Sequence, residues 1–371
     1  MKNAYAAVGV TAVMVALAGG CAQPSRPAGA MGAAAAPFTV TDPVALSAIR
    51  ERAISTVQEL IASETPQFRA NAVEAALHSP DRLKSIIEKG LRDENAGVRA
   101  VAAMSVGKGR LAKLAPQARS LLHDSNAYVK SAAIFALARN GLQVDRTPLS
   151  NLLLKDPSPQ VRAQVAYILG ELGDISAFPL LKQSLKSPIP NVSPLQVRLF
   201  ELQVAEAMIK LGDQRQRPVV RAALYPSRQD ELEAVVLACQ ILGDVNDRES
   251  IHQLVSLSEY KEEVLVEKPY GEAKVTRLEK GNGYPPEVQL AIAGALATMK
   301  HGDGTFIADR YLTHKSALVR SQVALVYGQI GKVENWGKLD AMMSDTYPGV
   351  RVAAAAAVLK SAGPGRGAVT R

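Results

Sequence analysis

The sequence predicts an all-α protein, an α-solenoid of about nine helical hairpins. Three observations predict it. The stretch Asp156-Pro-Ser-Pro-Gln-Val-Arg-Ala-Gln-Val-Ala-Tyr-Ile-Leu-Gly-Glu-Leu-Gly-Asp174 reads as one capped amphipathic helix, and variants of it recur along the chain. The Val or Phe that opens four successive copies falls at 68, 98, 129 and 161, spacings of 30, 31 and 32 residues, which is room for two helices and two turns. Apolar residues make up 47% of the chain but aromatics only 5%, a balance that suits closely packed helices better than a large β-sandwich.

The type helix carries its own start and stop. Asp156 and Ser158 offer N-cap oxygens, and Pro157 and Pro159 suit a first turn that has no amide donor to lose. Val161, Val165, Ile168, Leu169 and Leu172 form one stripe at the helical period, and Gly173 follows the last of them. So narrow a stripe needs neighbours, and Ala166 and Gly170 on its flank would let them come close.

The chain opens with MKNAYAAVGVTAVMVALAGGC, in which a basic Lys2 precedes an apolar run shorter than the roughly 20 residues of a bilayer span. Residues 1–20 read as a signal peptide. Leu17-Ala18-Gly19-Gly20-Cys21 resembles a bacterial lipobox, which implies a lipidated Cys21 as the mature N-terminus. Ala22 after it implies, by the same resemblance, sorting to the outer membrane. From Cys21 to residue 41 runs an Ala/Gly/Pro linker with Arg26 as a charge.

Residues 42–360 hold the repeats. A helix from about Asp42 to Ala62 leads into copy one at Phe68-Arg69, followed by copies at Val98-Arg99, Val129-Lys130 and Val161-Arg162. A longer fifth copy spans 193–213 and a divergent sixth runs from Leu232 to Asp244. The seventh, at Val288-Gln289, is delayed because residues 259–287 break the rhythm. In that interruption Val264–Val266 and Ala273–Leu278 flank Pro269-Tyr270-Gly271, the pattern of an inserted β-hairpin near 262–279. It is either a binding loop over a groove or a surface insertion. Copies at Val319-Arg320 and Val350-Arg351 complete the set, and 361–371 reads as a disordered Gly-rich tail.

With its Val-Arg, Ala-Ala and Leu-Gly positions aligned, the chain resembles the HEAT-repeat family over roughly 42–360. More narrowly, it resembles the short HEAT-like repeats of the phycobilisome-lyase type. The resemblance implies a right-handed superhelix with the motif helix on its concave side. It also implies an Asp/basic ladder between neighbouring repeats, which falls here on Asp93 and Arg99, Asp124 and Lys130, and Asp156 and Arg162. Arg320 and Arg351, the latter after Asp345, occupy the same basic place.

No catalytic constellation stands out. The five histidines are isolated, so no metal spacing appears, and the His-Glu motifs of the HEAT-like deoxyhypusine hydroxylases are absent. There is no nucleophile elbow, P-loop or dinucleotide fingerprint. Cys239 follows the apolar run Val235–Ala238 and reads as a small core residue. No cofactor is expected. The net charge of +8 is spread along the chain, and export argues against nucleic acid.

On the motif helix the residue six after the opening Val lies almost opposite the core stripe. These residues are Met104, Phe135, Tyr167 and Leu325. They are candidate contacts for a partner protein or peptide on the concave surface, unless a tightly curved superhelix buries them between helices. The expectation is a non-enzymatic binding scaffold, lipid-anchored at a bacterial membrane facing the periplasm. The alternatives are an enzyme or phycobilin-lyase-like protein acting on a bound ligand and, behind it, a nucleic-acid-binding protein.

Overall fold

The computed structural model describes residues 42–363 apart from 227–230, 260, 271–272 and 303, and the backbone alone across 261–270 and 273–282. The signal segment, Cys21, the linker to residue 41 and the tail after 363 lie outside the described residues.

The helices are α1 (Pro43–Leu60), α2 (Pro66–Ala76), α3 (Pro80–Gly90), α4 (Ala96–Lys108), α5 (Ala127–Arg139), α6 (Thr147–Lys155), α7 (Pro159–Leu172), α8 (Phe178–Ser184) and α9 (Pro194–Lys210). They continue with α10 (Arg217–Ala222), α11 (Leu232–Asp244), α12 (Ile251–Ser258), α13 (Pro286–Thr298), α14 (Thr305–Arg310), α15 (Ala317–Ile330), α16 (Trp336–Met342) and α17 (Pro348–Ala362). A 3₁₀ segment, Ala115–His123, takes the place of a helix between α4 and α5. Between α12 and α13 run β1 (Lys261–Tyr270) and β2 (Ala273–Asn282), antiparallel with Lys261 opposite Asn282.

Caps follow the sequence. On α7 the Ser158 hydroxyl accepts from the amide of Val161, and Gly173 ends the helix in the left-handed conformation at φ 73°. Asn95 and Asn126 cap α4 and α5 in the same way, and Ser193 and Gln196 form a reciprocal capping box on α9.

The expected solenoid of nine hairpins is present among the described residues. The motif helices α2, α4, α5, α7, α9, α11, α13, α15 and α17 pack side by side as one layer. Their shorter partners form the other.

The array then closes. The last motif helix, α17, packs on α2, the first, and α1 fills the outer layer between them. The closing contact is a true core: Ile49, Ile54, Val57 and Leu60 of α1 share one buried cluster with Val350, Ala354, Val358 and Leu359 of α17. At its edge Arg52 donates to Asp340 at 2.9 Å, Arg351 reaches Glu59 at 3.4 Å, and Phe68 meets Tyr347 edge-on at 5.4 Å. The result is a ring with the motif helices around its axis.

Tight curvature has a cause in the sequence. Nine residues after the opening position stand Gly107, Gly170, Gly243 and Gly328, in alternate copies. A Cβ on Gly170 would lie 2.8 Å from Ala207 Cα, and one on Gly328 would lie 2.9 Å from Ala357 Cα. Gly243 faces Ala295 in the same way at 3.2 Å. The copies between carry Leu77, Ala138, Ile209, Ala297 and Leu359 at this place. The motif helices therefore pair closely through glycine and then pack more loosely, and nine such steps complete the circle.

Candidate functional site

Closure changes what the motif helices present. Met104 and Phe135 are 2% and 0% exposed, packed between adjacent motif helices, so neither is a groove contact. Leu325 is half-buried and Tyr167 is 6% exposed. The expectation of an apolar concave groove is corrected at Met104, Phe135 and Tyr167, which close approach of neighbouring helices covers; Leu325 stays half-buried. Phe135, for example, lies over Gly107 of α4, where a Cβ would meet its ring.

One helical turn further on, the side chains change character. Ten residues after the opening position come His78, Lys108, Arg139, Glu171, Gln329 and Lys360, and Lys210, Asp244 and Thr298 take the same place on α9, α11 and α13. All nine are polar. They stand at the C-terminal ends of parallel motif helices, where cations offset the exposed carbonyl dipoles.

These groups face one another across the axis. Tyr167 is pushed to higher pKa by burial and then by Glu171, Glu206, Asp244 and Glu74, which come from α7, α9, α11 and α2. Burial lowers Lys360 of α17, and Asp244 and Glu74 oppose that shift. Charged groups from helices on opposite sides of the ring thus act on one another at this end.

Half of the mouth is a tight ionic network. Lys210 Nζ lies 2.6 Å from Glu171 Oε1 and 2.5 Å from Glu206 Oε1, and 4.7 Å from the centre of the Tyr167 ring. Glu206 is 1% exposed, and burial raises its pKa against the pull of Lys210. Burial works against the charge on Lys210, but its two carboxylates raise its pKa on balance. Arg139 donates to the Glu171 carbonyl, and its Nε is buried without a partner.

The other half is basic and loosely held. Lys360, His78 and Lys108 are consecutive around the ring, at the C-terminal ends of α17, α2 and α4. Lys108 Nζ sits 5.4 Å from the centre of the Tyr167 ring. Among the described residues neither Lys108 nor Lys360 has a carboxylate within salt-bridge distance. Burial, then Lys360 and Lys108, lowers His78 to about 4.

The ladder residues lie at the opposite ends of the motif helices. Arg99 Nε donates to Asp124 at 2.8 Å, in the next repeat, while its Nη1 donates to the Asp93 carbonyl at 2.8 Å. The Asp93 carboxylate takes Arg69 of the preceding repeat, at 2.7 and 2.8 Å. Arg69 was not among the expected ladder residues, although Phe68-Arg69 repeats the Val-Arg pattern. Arg320 grips Asp345 at 2.7 and 2.9 Å, and Arg351 donates to the Asp345 carbonyl at 3.3 Å. Arg162, 2% exposed, donates instead to the carbonyls of Asp156, Ser187 and Pro188. Among the described residues no ion pair joins Lys130 to Asp124 or Asp156; Lys130 lines a shallow surface hollow with Asp145 and Asn151.

The polar rim lies one helical turn beyond the positions expected to form a groove. The signal was present: a stripe whose sixth position is mixed and whose tenth is polar in every copy.

The HEAT-repeat family signature matches residues 54–138 and 144–238. Among solved structures, the phycocyanin lyase complex of CpcE and CpcF from Nostoc sp. PCC7120 is 15% identical. That match covers 84% of this chain and 98% of the other at a TM-score of 0.41. Human deoxyhypusine hydroxylase is 15% identical over 86% of this chain and 99% of its own, at a TM-score of 0.35. An engineered protein is 16% identical over 88% and 97%, at 0.30. No curated protein sequence matches.

Proposed function

We propose that this chain, which carries HEAT repeats over residues 54–138 and 144–238, is a non-enzymatic binding scaffold, held at a bacterial envelope by a lipid on Cys21. The partner is a protein that docks at the polar mouth of the ring.

One observation carries the reading: nine motif helices bring nine polar side chains to one rim, with part of that rim already braced by ion pairs among Lys210, Glu171 and Glu206. Such a surface is ordered before any partner arrives, so little further side-chain entropy is lost on binding. The anchor rests on the lipobox-like run before Cys21 and the Ala/Gly/Pro linker after it.

A photo-crosslinking residue at Thr298 or Gln329, on the rim, is compared in intact cells with one at Val44, which is 75% exposed on the outer layer. Rim-specific crosslinks to one protein are expected. Capture at Val44 alone, or turnover of a substrate by the purified chain, overturns the reading. For the anchor, Cys21→Ser should move the protein from the membrane to the soluble fraction; a variant that stays with the membrane refutes it.

A further inference from the structure

The rim is not symmetric in charge. On one side Lys210 and Arg139 are tied to Glu171 and Glu206. On the other, Lys108 and Lys360 flank His78 with no carboxylate at salt-bridge distance among the described residues. We propose that this basic arc, at the C-terminal ends of α17, α2 and α4, takes the carboxylates of an acidic, extended polypeptide segment that enters along the axis of the ring.

Two features select that ligand. The cations are unspent, so a carboxylate brought to them gains charge-assisted hydrogen bonds without breaking existing ones. Access is restricted: the arc lies on the layer of motif helices that encloses the axis of a closed ring. A flat membrane face or a nucleic-acid duplex cannot follow into such an opening, whereas a single extended chain fits.

His78 acts as the reporter. Of the elements packed on α2, α17 brings Lys360 and α4 brings Lys108, the two cations whose fields disfavour its charge, and α1 and α3 bring none that shifts it. Glu74 stands one turn earlier on α2 itself. A carboxylate placed between the lysines cancels their effect and leaves that of burial, so the His78 pKa rises part of the way toward its ordinary value as the peptide binds.

The inference rests on the scaffold reading, and its test separates the two. Binding of a fluorescein-labelled hexa-aspartate peptide to the full-length chain is followed by anisotropy. Hexa-asparagine serves as the neutral probe, and acetate and inorganic phosphate serve as free-anion competitors. Saturable binding of hexa-aspartate alone is expected. A Lys108→Gln/Lys360→Gln double variant should weaken it at least about tenfold. Lys155→Gln/Lys315→Gln, on exposed sites away from the rim, should leave it unchanged. In the histidine NMR spectrum the His78 pKa should rise on peptide addition, and should rise in the rim variant even without peptide. No binding of hexa-aspartate, equal weakening by both double variants, complete competition by millimolar acetate, or a His78 signal indifferent to peptide overturns the proposal. Undiminished capture of the cellular partner by the Lys108/Lys360 variant removes this inference alone and leaves the scaffold standing.

Discussion

Gly170→Ala sets two opposed effects against each other, and their balance tests the account of ring curvature. Alanine in place of a helical glycine favours the helix by about 0.8–1.0 kcal/mol, so propensity alone makes the variant more stable. Against it stands geometry. The new Cβ would lie 2.8 Å from Ala207 Cα and 3.1 Å from Ala207 Cβ. The nearer obstacle is backbone, so no rotamer relieves it, and α9 must retreat by roughly 0.6 Å to reach an ordinary 3.4 Å contact. Overpacking of this kind costs about 1–3 kcal/mol. The net expectation is a loss of up to about 2 kcal/mol, read from urea denaturation, and a larger loss for Gly170→Val, whose extra methyls face the same wall. Gly107→Ala is the internal comparison. Its Cβ would lie 2.4 Å from the fully buried Phe135 ring, a closer approach with no open space beside it, so its loss should be at least as large. A Gly170→Ala variant more stable than the wild type by the full propensity gain would refute close helix approach as the source of curvature.

Three further outcomes follow from the same structure. Val57→Asp puts a charge at a fully buried position of α1, an outcome worth several kcal/mol, and should detach α1 and open the ring, seen as a larger radius of gyration in solution scattering. His78 should make the protein acid-sensitive in one window. Its folded pKa of about 4 lies below the unfolded value of about 6.5, so the unfolded state binds the proton first and stability falls as pH drops from about 6.5 to about 4. The ceiling is ~3 kcal/mol, reduced to about 1–2 by solvent at the rim, and His78→Asn should flatten that part of a pH series of urea midpoints. Cys239, fully buried with its thiol pushed up to about 12, should ignore a thiol reagent at pH 8 until the chain is unfolded.

What could be read from the sequence and what could not divides along physical lines. Helix existence and order were legible because caps, apolar stripes and glycine stops are local: Ser158, Val161 to Leu172 and Gly173 specify α7 almost unaided. The Arg pattern was legible as a ladder, but not which carboxylate each arginine grips, because that depends on how far one repeat advances past the next. Arg99 passes over the carboxylate of its own turn to reach Asp124, and Asp93 is taken by Arg69. The groove residues failed for a related reason. Whether position six of the motif helix faces solvent or a neighbour depends on interhelix distance, and that distance is set by other residues, such as Gly107 under Phe135 and Gly170 against Ala207.

Closure lies further still from local pattern, since no single repeat encodes it, yet it follows from features each repeat carries. Gly170 against Ala207 and Gly328 against Ala357 draw alternate pairs of motif helices together at their C-terminal ends. A solenoid pinched at one edge of every second junction must curve toward that edge, and the pinched edge is where His78, Lys108, Glu171, Lys210 and Lys360 stand. The same small residues that bring α17 round to meet α2 and α1 therefore crowd like and unlike charges onto one rim. Packing and charge are coupled there. Loosening a glycine junction should spread the rim and relax His78 toward its ordinary pKa. Gly328→Ala, next to the junction that brings α17 home, should raise the His78 pKa without touching a charged residue, and an unmoved His78 in a folded Gly328→Ala ring would break the link between curvature and the site.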